Sequence, residues 1–70
     1  MRTDENKKVE LKDKYLLSIE EASIYFGIGH NKIRTMVSIE PDASYLLHIG
    51  RKVLIKRKLF EQMIDDSYSI

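Results

Sequence analysis

FGIGHNKIRTMV, Phe26 to Val37, is the stretch on which the fold turns. It carries the end of one apolar periodicity, two glycines, and the start of another. Upstream, Ile19, Ala22, Tyr25 and Phe26 fall on one face of a 3.6-residue wheel, with Ile24 pointing nearly the other way. Ser18 and Glu21 have the spacing of a capping box, so this first helix is expected to begin at about Ile19. Gly27 stands where a helix needs a left-handed stop, and Ile28-Gly29 leaves room only for a tight bend. In the second helix Ile33, Met36 and Val37 form the inner stripe. That places Asn31, Thr35 and Ser38 outermost, Lys32 and Arg34 on the flanks, and His30 nearer the core edge. Two short helices at a steep angle are the expected result.

The outer face of the second helix is chemically unusual. A solvated face this short is better served by Glu and Lys, whereas Asn and Thr are poor helix formers whose side chains suit base edges and phosphates. Asn31, close to the helix start, has an alternative use as a cap.

Working outward, SIEPDAS (Ser38 to Ser44) holds the single proline and reads as a loop. YLLHI and RKVLI then read as two strands joined near Ile49-Gly50. Pairing them as a hairpin is expected to set Leu46 opposite Val53, with Ile55 on the same face towards the helices and Tyr45, Leu47 and Leu54 on the other. That second face is too apolar for open solvent and calls for cover, from the short YLLS strand (Tyr15 to Ser18) or from another protein. Isoleucine suits the positive-φ position of a two-residue turn poorly, which leaves the turn type open. Leu59, Phe60, Met63 and Ile64 recur at helical spacing and predict a third helix to about Asp66. Its charges run against the helix dipole, with Lys56, Arg57 and Lys58 at the start and Asp65 and Asp66 at the end. Phosphate contact by the basic run offsets that cost most simply.

Composition bounds the rest. Seventy residues support one domain with a modest core. The expected division is a flexible, charged N-terminal arm over residues 1–14 and a folded DNA-binding domain over 15–70. No apolar run approaches the length of a membrane span. The absence of cysteine removes disulfides and thiolate chemistry and, with no apolar signal segment at the start, points to the cytoplasm. The overall charge of +1 conceals segregation. From Ile28 to Lys58 seven basic residues face only Glu40 and Asp42, a net of +5, which leaves −4 for the remainder. Charge confined in this way marks a surface for a polyanion. His30 and His48 lie in different elements without acidic partners at ligand spacing, so neither a catalytic dyad nor a metal site is expected. Gly27-Ile28-Gly29 follows a helix instead of a strand and lacks the spacing of a phosphate-cradling loop. The chain is therefore read as a non-enzyme that uses no cofactor.

Strand, helix, bend, helix, loop, basic-tipped hairpin and helix, in that order, make a small α+β winged helix-turn-helix. In it the second helix enters a major groove, where Arg34 and Lys32 reach guanine edges or phosphates and Asn31 reads adenine. Arg51 and Lys52 lie over the neighbouring minor groove, and Lys56 and Arg57 clamp the backbone.

LSIEEASIYFGIGHNKIR, followed by YLLHIGRKVLIKRKLFEQMI, resembles the small excisionases of conjugative transposons and, more broadly, the winged helix-turn-helix domains of the MerR and excisionase superfamily. The likeness extends from about Tyr15 to Asp65. It implies a recombination directionality factor that binds double-stranded DNA near the ends of an integrated element, bends it, and steers a tyrosine-recombinase integrase towards excision. Recognition-helix positions of the family map to His30, Asn31, Lys32, Arg34 and Thr35, and wing positions to Arg51 and Lys52, while Ile49 departs from the polar residue expected at the wing tip. A single copy discriminates weakly, so several copies are expected to associate on DNA, with Ile24, Leu47 and Leu54 as candidate contacts. Two other readings fit the residues: a stand-alone MerR-like transcription regulator, and a protein-interaction adaptor that uses the outer apolar face.

Overall fold

The computed structural model describes residues 11–70. Its elements are β1 (Leu16–Leu17), α1 (Ile19–Phe26), α2 (His30–Ile39), β2 (Leu46–Ile49), β3 (Lys52–Lys56) and α3 (Arg57–Asp66). Three helices and one three-stranded antiparallel sheet, among the described residues, make the expected α+β winged helix.

The local signals that open and close α1 act as read. Ser18 accepts a hydrogen bond from the Glu21 N–H at 3.1 Å, and the Glu21 carboxylate accepts the Ser18 N–H at 2.9 Å, so the capping box is complete. Gly27 ends the helix in the left-handed region (φ 71°, ψ 27°), and its N–H donates to the Ser23 carbonyl. Gly29 caps α2 with no side-chain hydrogen bond, which removes Asn31 from the capping role. Asn31 is the second residue inside the helix, and its side chain is exposed.

The sheet corrects three expectations. First, the strand order is β1-β3-β2, so β1 extends the sheet along the free edge of β3 instead of covering its second face. Second, the hairpin register is Leu46↔Ile55, Leu47↔Leu54, His48↔Val53 and Ile49↔Lys52, two residues from the expected pairing of Leu46 with Val53. The reason lies in the turn. Gly50 (φ 57°), not Ile49, takes the left-handed position, and Gly50-Arg51 form a two-residue connection that fixes every pair behind it. Leu46 and Ile55, the best-buried hairpin residues, thereby face each other. Third, Tyr45 is buried rather than on the outer face. It stands one residue before β2, where strand alternation no longer governs it, and its ring packs edge-on against Phe60 at 4.8 Å.

Leu11, Leu17, Ala22, Ile33, Tyr45, Leu46, Ile55 and Phe60 form the core, drawing on all six elements and the flanking segments. Phe60 is fully buried, with its ring 4.8 Å from those of both Phe26 and Tyr45. Ile24, out of pattern on the wheel, is half-buried against this core. Its helix packs on more than one neighbour, so its apolar face is wider than a single stripe. Residues 1–10 of the expected arm lie outside the described residues. Of residues 11–14, Leu11 is buried, and the Lys14 ammonium meets the Glu21 carboxylate at 2.6 Å.

Candidate nucleic-acid interface

α2 is held by its inner stripe. Ile33 is fully buried and Met36 and Val37 are half-buried, which orients the rest of the helix outward. His30, Asn31, Lys32, Arg34, Thr35 and Ser38 are all exposed, so the five positions expected to contact a ligand share one solvent-facing surface. His30 lies farther from the core than its place on the wheel suggested. The Thr35 hydroxyl donates to the Asn31 carbonyl at 2.9 Å, which orients its methyl group and leaves its oxygen free to accept. The first turn of α2 has no acidic residue and no side-chain cap, so the positive end of the helix dipole stands open beside Lys32.

The wing presents a second group. Arg51 and Lys52 are exposed at the hairpin tip, and Lys56, half-buried, shares the face of β3 that carries Lys52 and Leu54. Among the described residues the ion pairs are Lys14 with Glu21 and Arg57 with Glu61. Lys32, Arg34, Arg51, Lys52, Lys56 and Lys58 have no carboxylate partner there. All of them are exposed except Lys56, which is half-buried.

Arg57 is placed differently from its neighbours. Its Nε donates to the Lys14 carbonyl at 2.8 Å, one Nη donates to the Glu61 carboxylate at 3.2 Å, and its side chain is only 16% exposed. The Arg57 backbone N–H also donates to the Tyr15 carbonyl at 2.7 Å. Arg57 thus ties the segment before β1 to the start of α3. The i,i+4 spacing of Arg57 and Glu61 was visible in the sequence, but the Lys14 carbonyl 43 residues away was not. Glu61 also accepts the Tyr25 hydroxyl at 3.2 Å, joining α1 to α3.

Another contact had no sequence signal. His48 Nε2 donates to the Pro41 carbonyl at 2.8 Å and so connects the wing to the loop that follows α2.

Among the described residues no group of three or more His, Asp or Glu side chains is positioned to hold a metal ion. Two surface depressions among the described residues are lined by Lys58, Glu61, Gln62, Asp65 and Asp66 and by Ile39 to Ala43. Among the described residues no helix is long and apolar enough to cross a membrane.

Comparison with known proteins agrees with this architecture. A family model described as "Excisionase from transposon Tn916" matches residues 2–70. A curated relative from Streptococcus agalactiae serotype V (strain ATCC BAA-611 / 2603 V/R), of the same description, is 47% identical over 53 residues, which cover 76% of this chain and 79% of the relative. A family match over residues 2–70 and a curated relative 47% identical, on a chain that folds as a small α+β winged helix, place this protein in the family of Tn916-type excisionases.

Proposed function

We propose that this protein binds double-stranded DNA near the ends of a mobile element, bends it, and directs a tyrosine-recombinase integrase towards excision, without a catalytic step of its own. The observation that carries the reading is the set of exposed cations on α2 and the wing with no carboxylate partner among the described residues. In this arrangement α2 enters the major groove, with Arg34 and Lys32 addressing guanine O6 and N7 or adjacent phosphates. Asn31 pairs with adenine, while His30 and Thr35 flank them. Arg51 and Lys52 follow the neighbouring minor groove, and Lys56 contacts the backbone. Arg57 supports this surface through Lys14 and Glu61. The protein works in the cytoplasm, and several copies on adjacent sites supply the discrimination that one short helix lacks.

The test is a binding titration on duplexes from the element's ends across a range of salt. About four to six phosphate contacts predict a log–log slope of roughly −4 to −5, and a preference for end sequences over random duplex. Salt-insensitive binding, or equal affinity for all duplexes together with no change in integrase products, would remove the reading.

A further inference from the structure

We infer that His48 is a positioning residue that fixes the wing relative to the recognition helix, through its hydrogen bond to the Pro41 carbonyl. The inference rests on the reading that α2 and the wing touch the same duplex. The geometry is specific. α2 ends at Ile39, and the Glu40 N–H closes it on the Met36 carbonyl at 3.0 Å. Pro41 follows with its φ locked by the ring. The Ala43 N–H then donates to the Glu40 carbonyl at 3.1 Å, and the Leu46 N–H to the Ala43 carbonyl at 3.0 Å. The Pro41 carbonyl is therefore a stiff extension of α2, two residues beyond its end.

His48 lies in the middle of β2, paired with Val53, two residues from the Gly50-Arg51 tip. Strand alternation puts it on the same face as Leu46 and Ile55. Those two are buried, but His48 is exposed while its partner Val53 is still half-buried against the core, so at this level the β2 strand has no apolar side chain of its own holding it down. On β2 the Nε2–H to Pro41 bond does what an apolar side chain would otherwise do. A two-stranded ribbon is weakly constrained on its own, and a directed bond at mid-height limits its swing. Held this way, Arg51 and Lys52 keep a fixed offset from Lys32 and Arg34, so the two cation groups meet one duplex without an ordering cost at binding.

The experiment is a double-mutant cycle on DNA affinity in the intact chain, with unfolding midpoints measured in parallel. His48→Ala should weaken binding to end-sequence duplex about three- to tenfold, the usual weight of one hydrogen bond. His48→Gln, whose amide nitrogen reaches a similar position, should restore most of it. In an Arg51→Ala/Lys52→Ala background the His48→Ala penalty should shrink to less than twofold, because a wing without cations has nothing to position. An undiminished penalty in that background, failure of Gln to rescue, or unchanged affinity of His48→Ala would overturn the inference and leave α2 and the wing as the interface. If Arg51→Ala/Lys52→Ala itself leaves affinity unchanged, the wing is not part of the interface, and both the reading beneath and the role of His48 fall.

Discussion

Arg34 and Arg57 are both arginines in the basic half of the chain, yet they have opposite surroundings. Arg34 is exposed on α2 without a protein partner among the described residues, whereas Arg57 is largely buried between the Lys14 carbonyl and Glu61. Their substitutions should separate cleanly. Arg34→Ala should cost about 1–3 kcal/mol of specific binding and leave the unfolding midpoint nearly unmoved. Arg57→Ala should lower stability by about 1–2 kcal/mol, since it removes two hydrogen bonds from a charged donor, while the salt slope of DNA binding stays the same. Denaturation curves and salt titrations of the two variants side by side would check this; a stability loss for Arg34→Ala and none for Arg57→Ala would reverse the assignment.

At the level of the element, α1 shows how a few local contacts make a short helix dependable. Eight residues are too few for a helix to persist alone, so its ends matter. Partial burial works to raise the Glu21 pKa, but the Lys14 ammonium and the Ser18 N–H outweigh it and hold the carboxyl below its usual range. A carboxylate depressed in this way stabilises the fold above the unfolded value of about 4.5 and loses that contribution as the pH falls through the lower folded value. Lys14 is half exposed, so the effect is a fraction of a kcal/mol. Glu21→Gln keeps the amide oxygen that accepts from Ser18 but cannot titrate. Its stability profile between about pH 5 and 3 should be flatter than that of the parent, as read by chemical denaturation; parallel profiles would locate the acid sensitivity in other carboxylates. At the alkaline side Tyr45 behaves in the opposite sense. Burial, with a smaller push from Glu40, raises its pKa, so the unfolded chain ionises first and stability declines as the pH climbs past about 10.

Across the whole molecule the segments are joined by a small number of contacts through one small core. Phe60 brings α3 onto Phe26 of α1 and onto Tyr45 at the entry to the wing. A chain of this size holds only a few kcal/mol in reserve, and Phe60→Ala costs about 3–5 kcal/mol. Circular dichroism at room temperature should show the variant largely unfolded, with DNA binding lost although no DNA-facing residue has changed. A cooperative transition near the parent midpoint would mean that the core does not converge on this ring.

Much of this was legible before folding because it depends on nearest neighbours. The Ser18/Glu21 box, the Gly27 stop, the inner stripe of Ile33, Met36 and Val37, and the amphipathic run from Leu59 to Ile64 are all set within one or two turns of chain. Backbone hydrogen bonding and side-chain periodicity decide them locally. The exposure of Asn31, Lys32, Arg34 and Thr35 on α2 followed from the same periodicity, whereas His30 lies farther out than the wheel placed it. The hairpin register, the place of β1 beside β3, the burial of Tyr45 and the employment of Arg57 could not be read in the same way. Each is a choice among near-equivalent local arrangements. The register is settled by which residue of the turn takes the left-handed position, and the other three by a strand edge, a ring or a carbonyl contributed from far along the chain, which are available only once the elements have met.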